Sequence, residues 1–304
     1  MDEIKKNVDV VIPCYNVEET IEDCIKTLCS QSLSKNQYNC YFINDNSNDS
    51  TGVILDKYKN IENINVIHHK KNLGLAASRN SGLKAGSSDF IAFIDGDMIV
   101  SRNWIESFLP YFDKDVIAVM GDNIPPEDIS LNAVERYYFG NLRGARKYND
   151  NEKIPFQYML FGNAMLKRES LNKCGFFDES MKKYGGEDTD LSARIWDEYP
   201  KSFVFSKSSN AVHYHRRNLD EFYNSMKIYG EHNLPILIKK HPHHKKKFAA
   251  DWIFTFKGRL FFSVPIRKLI YLIIKIYPFQ IFIRYIIADA VIMGARSSKT
   301  LNRF

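Results

Sequence analysis

Hydrophobic positions in the first hundred residues follow two alternating spacings. A short apolar run at 8–13 is typical of a strand covered on both faces, and further short runs rich in apolar residues at 41–43, 64–68 and 90–95 predict three more strands. Between the first two runs, apolar residues recur at three- and four-residue steps over 17–28, which predicts an amphipathic helix. This alternation predicts an α/β domain with a mostly parallel, Rossmann-like sheet flanked by helices.

The pattern continues less regularly beyond residue 100. The elements predicted there are a strand at 115–123, a helix or loop over the site within the polar stretch 124–157, a strand and short helix within 157–179, a loop and helix over 184–199, and strands near 203–205 and 211–215. We expect this domain to cover 1–217 and a helical, membrane-associated region to cover 218–304.

The charge changes sign along the chain. The net charge is +6, but residues 201–304 hold 19 Lys and Arg against 5 Asp and Glu, whereas the first 200 residues are net acidic. A basic tail indicates an anionic partner, such as a phospholipid surface or nucleic acid. The basic run 239–247 lacks the interleaved aromatic residues of single-strand binders, so we do not expect nucleic-acid binding.

The apolar part of this tail, 260–295, is interrupted by charges and by Pro265 and Pro278. It falls short of the roughly 20 uncharged residues that a spanning helix needs. We expect two helices that lie in the membrane interface or are shallowly re-entrant, with Lys268, Tyr271 and Lys275 on one stripe. A helical subdomain packed on the body or on a second subunit stays open, as does a spanning hairpin.

The cysteines and the amino terminus bear on the compartment. Five cysteines form no C-x-x-C pair and mostly fall in apolar runs, which is typical of core residues in a reducing compartment. No apolar signal segment opens the sequence, so no secretion signal is expected. Together these features favour the cytoplasm, with the tail at the inner face of the cell membrane.

Polar residues gather where the predicted parallel strands end. The segments 13–16, 44–45 and 95–97 all follow such strands, and ligands in these sheets bind beyond the carboxyl ends of the strands. Asp95 and Asp97 flank a glycine on a turn, where both carboxylates can face one hard cation. A single D-x-D is a weak motif and is usually a turn, but its position after a buried strand favours an Mg²⁺ or Mn²⁺ site.

A second acidic pair follows two glycines in "GGEDTDL". Glu187 and Asp188 open a predicted helix, whose N-terminal dipole favours an ionised carboxylate. Such an acid suits a general base that takes a proton from an acceptor hydroxyl. Taken alone, two acids at a helix start are usually only caps.

The ordered motifs resemble the inverting family 2 glycosyltransferases of the GT-A fold. The segments that carry the resemblance are "VIPCYNVEETIEDCI", "INDNSNDST", "NLGLAASRNSGL", "FIDGDM" and "GFFDESMKKYGGEDTDLSARI". The match covers roughly 7–215 and leaves the tail uncovered. Where the family usually has V-D-D-G, this chain has Asn44 and Asn46, so the contact of the first acid is in question, while Asn46 is expected to take the left-handed conformation of the glycine.

The resemblance implies a role for each matching residue. Asp188 is the expected catalytic base, and Asp97 and His213 are the expected ligands of Mn²⁺ or Mg²⁺. The expected donor-binding residues are Pro13 and Tyr15 at the base, Asn16, Asp45 on the nucleobase edge, Arg79 near base and ribose, Asp95 at the ribose or sugar, and Asn163 and Glu187 at the sugar.

The implied activity is metal-dependent transfer of a hexosyl or N-acetylhexosaminyl group, with inversion, in cell-surface glycan or polysaccharide synthesis. The donor is a nucleotide-sugar, with UDP favoured by Asp45, and the acceptor is a saccharide or a lipid-linked molecule. The alternative is a catalytically silent nucleotide-sugar-binding subunit of a glycan-assembly complex, and oligomer formation stays open. A dehydrogenase is disfavoured because no G-x-G-x-x-G follows the first strand.

Overall fold

The computed structural model describes residues 7–141, 143–214 and 216–301. These residues divide into two compact units. Unit 1 comprises the described residues within 1–127, 144–182 and 187–215, and unit 2 those within 128–143, 183–186 and 216–304. The domain boundary expected at residue 217 stays a prediction.

Unit 1 contains one mixed β-sheet. In the described part of the chain its nine strands are β1 (Val8–Cys14), β2 (Tyr38–Asn44), β3 (Ile64–His68), β4 (Phe90–Ile94), β5 (Met98–Val100), β6 (Ala118–Ile124), β7 (Glu152–Lys153), β8 (Asn163–Lys167) and β9 (Phe203–His213). The strand order is β3-β2-β1-β4-β8-β6-β9-β5, and β7 pairs with β9.

Most strands of this sheet run in the same direction. β1 pairs in parallel with β2 and β4, β2 with β3, and β6 with β9. Only β5, β7 and β8 run the opposite way among the described strands, because β8 is antiparallel to β4 and β6, and β5 and β7 to β9. The predicted mostly parallel α/β architecture is confirmed.

The helices, in chain order, are α1 (Ile21–Cys29), α2 (Thr51–Asp56), α3 (Leu75–Ala85), α4 (Trp104–Phe108), α5 (Ala133–Tyr138), α6 (Arg168–Cys174), α7 (Glu187–Glu198), α8 (Leu219–Lys240), α9 (Asp251–Phe254), α10 (Phe256–Phe261), α11 (Val264–Ile276) and α12 (Gln280–Ser297). Short 3₁₀ helices cover Lys35–Gln37, Leu109–Tyr111, Gly144–Lys147, Phe156–Tyr158 and Pro242–His244.

The core of unit 1 lies around β1 and β4, the two central parallel strands. Every residue of both strands is buried, and the apolar stripe of α1 packs into the same cluster. The helix begins at Ile21 rather than at the predicted residue 17, because Thr20 and Ile21 both donate backbone hydrogen bonds to the Val17 carbonyl and close a turn there.

The two predicted strands near 203–205 and 211–215 are a single long strand, β9. Its pairing with β6 is irregular between Gly121 and Asn123. A Cβ at Gly121 would overlap the Ser209 carbonyl, so the absence of a side chain allows the two strands to approach there. The polar residues inside β9 conceal its continuity in the sequence.

Unit 2 is helical in the described residues, and α12 packs along α8. Each of the two helices carries a glycine where they touch. A Cβ at Gly230 of α8 would overlap the Val291 carbonyl of α12, and a Cβ at Gly294 of α12 would overlap the Lys227 carbonyl of α8. Of the two prolines expected to interrupt the apolar tail, Pro278 lies in the gap 277–279 between α11 and α12. None of the described helices is long and apolar enough to cross a membrane.

Candidate active site

The carboxyl ends of β1, β2 and β4 meet at one edge of the sheet of unit 1. Cys14 at the end of β1 pairs with Asn44 at the end of β2, and β4 lies on the other side of β1. Pro13 is buried in β1, while Tyr15 immediately beyond it is 46% exposed. The residues expected to contact the nucleobase therefore lie where parallel sheets bind ligands.

Asn16 and Asn46 shape the loops at these strand ends. Both adopt left-handed conformations, with φ of 52° and 58°, and the conformation expected for Asn46 is confirmed. Asn16 Oδ1 accepts the Asn48 backbone N–H at 2.9 Å, and the Asn16 backbone N–H donates to Ser47 Oγ. Asn16 thus joins the loop after β1 to the turn after β2.

Asn44 replaces the first acid of the usual family pair and braces the same turn. Its Oδ1 accepts the Ser47 backbone N–H at 3.0 Å, and its Nδ2 lies 3.0 Å from His68 Nδ1. The Asn44 side chain is therefore held by protein groups on both its oxygen and its nitrogen.

Asp45 is almost entirely buried, at 4% exposure. Its Oδ1 lies 2.7 Å from His69 Nδ1 and accepts the Leu73 N–H, and its Oδ2 accepts the Gly74 N–H at 2.8 Å. His69 Nε2 in turn lies 2.9 Å from Ser81 Oγ. The carboxylate is thus held in one orientation by the start of α3 and by an imidazole.

Arg79 lies on α3 and is only 1% exposed. Its Nη1 donates to Asp188 Oδ1 at 2.6 Å, and Glu187 Oε1 lies 3.7 Å away. Its Nη2 lies 3.4 Å from Asp95 Oδ1, and the guanidinium carbon lies 5.2 Å from the centre of the Phe177 ring. One buried cation therefore joins Asp95 to the adjacent acids Glu187 and Asp188, which lie far from it in sequence.

The Asp95–Asp97 turn faces the end of β9. Asp97 Oδ2 lies 3.3 Å from His213 Nε2, and His213 is 5% exposed. Two ligands at right angles on an octahedral ion with bonds of about 2.1 Å are about 3 Å apart, so this separation suits one shared divalent ion. The Asp97 carboxylate suits Mg²⁺ or Mn²⁺, and the imidazole of His213 is a common metal ligand.

Asp95 is held close to the backbone of the strand beside it. Its backbone N–H donates to the Gly162 carbonyl at 3.1 Å, and a Cβ at Gly162 would lie 2.6 Å from Asp95 Oδ2. Burial raises the pKa of Asp95, Arg79 opposes this rise, and the like charge of Asp97 adds to it. Glycine at 162 is thus needed for the carboxylate to lie there.

Glu187 and Asp188 occupy the first turn of α7, as expected. Asp188 Oδ2 accepts the Phe161 backbone N–H at 3.2 Å, so both oxygens of this carboxylate are oriented. Glu187 is 5% exposed. Burial and the neighbouring Asp188 raise the pKa of Glu187 to about 7, while Arg79 opposes the rise.

The glycines that precede α7 belong to unit 2. Gly185 and Gly186 have φ of 73° and 101°, a region that glycine reaches without steric cost. Asn233 of α8 donates from Nδ2 to the carbonyls of Lys183 and Gly185, at 2.8 and 2.5 Å. Asn233 therefore fixes this double-glycine turn.

Asn163 is buried and its amide is fully engaged. Its Oδ1 accepts the Trp104 indole N–H at 3.0 Å, and its Nδ2 donates to the carbonyls of Asp122 and Ser209 at 3.1 and 3.0 Å. These bonds join β8 to β6, β9 and α4. They support a structural role, and the contact to a donor sugar expected for Asn163 stays a prediction.

Sequence reasoning missed three contributors to the site: His69, Gly162 and Phe177. "HHKKNLG" places a histidine next to a predicted strand end, and that position is the one signal that pointed to His69. Gly162 and Phe177 carry no motif of their own that reveals their contacts. His215, two positions after the predicted ligand His213, falls outside the described residues.

A family model described as "Glycosyl transferase family 2" matches residues 9–175. Similar proteins include the pre-mycofactocin glycosyltransferase of Mycobacterium tuberculosis, 29% identical over 59% of this chain and 38% of that protein. Chondroitin synthase of Pasteurella multocida is 26% identical over 70% of this chain and 25% of that protein. The minor teichoic acid biosynthesis protein GgaB of Bacillus subtilis is 26% identical over 79% of this chain and 28% of that protein. The chain thus spans between 25% and 38% of these relatives' lengths.

Solved structures share the fold. The mannosyltransferase PcManGT from Pyrobaculum calidifontis, in complex with GDP-Man and Mn²⁺, has a TM-score of 0.65 and 14% identity over 95% of this chain and 85% of that one. S. aureus TarS in complex with UDP-GlcNAc has a TM-score of 0.58 and 16% identity over 97% of this chain and 90% of that one. The GT-A fold expected from the sequence is confirmed.

Proposed function

The chain belongs to glycosyl transferase family 2, and we propose that it is a metal-dependent, inverting enzyme that transfers a sugar from a UDP-sugar to a hydroxyl group of its acceptor. One observation carries the proposal: Arg79 joins Asp188, the candidate base, to Asp95 of the D-x-D turn. Their contacts to one buried cation support a site in which the candidate base and the acidic turn for the donor lie close together, as a single displacement requires.

Asp188 is the proposed base. As the acceptor oxygen forms its bond to the anomeric carbon, the bond from that carbon to the diphosphate breaks and its electron pair leaves with the nucleoside diphosphate. The hydroxyl proton passes to the Asp188 carboxylate. Attack opposite the leaving group inverts the anomeric configuration, because no protein nucleophile intervenes.

Asp97 and His213 would hold the divalent ion, Mn²⁺ or Mg²⁺. When bound, the ion supplies positive charge that stabilises the departing diphosphate. The 3.3 Å separation of their ligand atoms supports this pairing, and Mg²⁺ sites with few protein ligands usually complete the shell with water and substrate phosphates. Asp95 and Glu187 would line the donor beside them.

The nucleobase would lie at the ends of β1 and β2. Asp45 Oδ2 accepts one N–H, from Gly74, among the described groups, which leaves a lone pair for a base N–H. Tyr15 and Pro13 would lie against the ring, and Asn16 would hold the loop. A base that offers an N–H at its edge, such as uracil, fits this acceptor.

The proposed acceptor is a saccharide or a lipid-linked saccharide used in cell-surface glycan or polysaccharide synthesis. The relatives named above include proteins of chondroitin and teichoic acid synthesis. The basic, apolar tail favours an acceptor carried by a membrane. Because of this basic, apolar tail, we also propose that the enzyme lies at the cytoplasmic face of the cell membrane.

The experiment is a donor screen that measures release of UDP or GDP from candidate nucleotide-sugars, with Mn²⁺ and with and without membranes. The expected result is release from a UDP-sugar by the wild type and a rate lowered by about 100-fold or more in Asp188→Asn. Glu198→Gln, an exposed acid on the same helix, is the matched control and should keep the wild-type rate.

Equal rates for Asp188→Asn and the wild type would remove Asp188 from its role. Donor binding without any UDP or GDP release, for every donor and with membranes present, would overturn the enzyme proposal in favour of a silent binding subunit.

A further inference from the structure

Unit 2 exposes an unusual amount of apolar surface. Of the 19 large hydrophobic side chains that are exposed in the described chain, 12 lie between residues 252 and 281, from α9 through α11 to the first turn of α12. Phe256 is 81% exposed, and Leu272 and Ile276 are 60% and 65% exposed. Concentrated exposure of this kind marks an interaction site rather than ordinary surface.

Contacts within unit 2 fix which side of α11 faces inward. Arg267 forms an ion pair with Asp289 of α12, which is fully buried, and Tyr223 of α8 donates to the same carboxylate at 3.2 Å. The Tyr271 ring lies 6.2 Å from the Tyr223 ring, and Ile274 is buried. Residues 267, 271 and 274 follow helical spacing, so they define one inward face.

The opposite face of α11 is both apolar and basic. Leu269, Leu272 and Ile276 are exposed there, and Lys268 and Lys275, which are also exposed, lie along one edge of these aliphatic residues at helical spacing. Lys268, Tyr271 and Lys275 share one stripe of α11 at helical spacing, as expected from the sequence, and Tyr271 within it lies against Tyr223. The lysines and the aliphatic residues share the outer face.

The charges around this face decide what can cover it. Residues 251–285 hold six Lys and Arg and one acidic residue, Asp251. A second copy would bring two basic faces together, which like charge disfavours. At a bilayer surface, in contrast, the aliphatic side chains enter the acyl boundary while the lysines extend their ammonium groups to lipid phosphates.

We propose that the outer face of α11, together with the exposed side chains of α9 and α10, binds the surface of an anionic phospholipid bilayer and lies along it. The helix α12, whose side chains pack mostly inside unit 2, forms the support rather than the contact. This inference specifies the membrane partner named above and rests on the proposed function for the acceptor that the bilayer would present.

The test is co-sedimentation of the full chain, without donor or metal, with vesicles of phosphatidylcholine alone and of phosphatidylcholine mixed with phosphatidylglycerol. We expect binding to the mixed vesicles that weakens with salt. Leu272→Ser should lower the partition coefficient by about tenfold or more, and Lys268→Gln and Lys275→Gln by about fivefold each. Val53→Ser and Lys114→Gln replace exposed residues of unit 1 and should leave binding unchanged.

Absence of binding to the mixed vesicles, or an equal loss in the unit 1 controls, would overturn the inference. A dimer seen by analytical ultracentrifugation without vesicles, and broken by Leu272→Ser, would also overturn it by assigning the face to a second copy. UDP release without membranes should be unchanged in Leu272→Ser. Loss of vesicle binding with this activity intact therefore separates failure of the inference from failure of the proposed function.

Discussion

The Nη1 atom of Arg79 lies 2.6 Å from Oδ1 of Asp188, although 109 positions separate the two residues in sequence. The guanidinium is buried and also faces Asp95 and Glu187. Three acids around one cation leave net negative charge, which suits a site that receives a divalent ion and a sugar with developing positive charge. The contact is thus both structural and, under the proposed function, part of the reaction site.

Removal of this cation should destabilise the protein. Arg79→Ala would leave Asp95, Glu187 and Asp188 without their shared counter-charge, and loss of one partner of a buried ion pair costs about 3–5 kcal/mol. Urea unfolding measures this change in the free energy of unfolding. Arg102→Ala, at an exposed position, should change it by no more than about 0.5 kcal/mol. A loss below about 1 kcal/mol for Arg79→Ala would contradict the assigned role.

Stability should depend on pH through Glu187. Its pKa is about 7 in the folded protein, raised by burial and by Asp188, and about 4.3 when unfolded. Between these values the unfolded carboxyl is ionised while the folded one keeps its proton, so unfolding releases a proton. The contribution of Glu187 to stability is therefore full below the lower value and is lost as pH rises toward 7.

Urea unfolding between pH 4.5 and 8, with chelator present, checks this dependence. In Glu187→Gln the fall in stability across that window should be shallower than in the wild type, by at most about 1.4 kcal/mol per pH unit. Glu198→Gln, on the exposed part of α7, should retain the wild-type slope. Identical slopes for Glu187→Gln and the wild type would show that the Glu187 pKa is not raised.

Metal dependence should act through Asp97 and His213. Asp97→Asn and His213→Gln each remove one proposed ligand, so the Mn²⁺ concentration for half-maximal UDP release should rise by about tenfold or more. His232→Gln, an exposed histidine of α8, is the matched control. Full activity in excess chelator would rule out a required divalent ion.

His69 should act on donor affinity rather than on the chemical step. Its imidazole connects Asp45 to Ser81, so His69→Ala frees the Asp45 carboxylate from one of its restraints. We expect a donor KM raised by about tenfold, the value of one lost charge-assisted hydrogen bond, with kcat little changed. Lys70→Ala, at the next and exposed position, should alter neither, whereas a fall in kcat alone for His69→Ala would place His69 in the chemistry.

The crossing of α8 and α12 should not tolerate side chains. In Gly294→Ala and Gly230→Ala the new Cβ would overlap a carbonyl of the facing helix, so overpacking should cost about 1–3 kcal/mol, even though alanine is the better helix former. Thermal unfolding measures the loss. Asn224→Ala, on the exposed face of α8, should be neutral or stabilising, and a stabilised Gly294→Ala would disprove the close approach.

Local periodicity was sufficient for much of the fold. Short runs rich in apolar residues predict β1, β3 and β4 close to their observed bounds. β1 and β4 give the clearest signal because every residue in them is buried, and the one acid among these residues, Asp9, is paired with Arg168. The same pattern predicts two strands in place of β9, because the polar residues Ser206 to Asn210 lie inside it. The Ser209 hydroxyl accepts from the Ser107 and Ser206 hydroxyls, and the Ser209 carbonyl accepts from Asn163 Nδ2. These partners lie far away in sequence or depend on the folded backbone, so a local pattern does not reveal them.

The sequence by itself determined the α/β order of elements, the positions of Asp45, Asp95 and Asp97 just after strands, and Glu187 and Asp188 at a helix start. Each of these features depends on residues only a few positions apart, and over that range burial produces a periodic pattern of hydrophobic residues. Only the tertiary structure decided that Arg79 joins Asp188 to Asp95, that Asn163 is occupied by backbone carbonyls, and that α12 is buried while the outer face of α11 is exposed. These contacts join residues far apart in the chain, and hydrogen bonding and packing between them depend on a geometry that no local pattern contains.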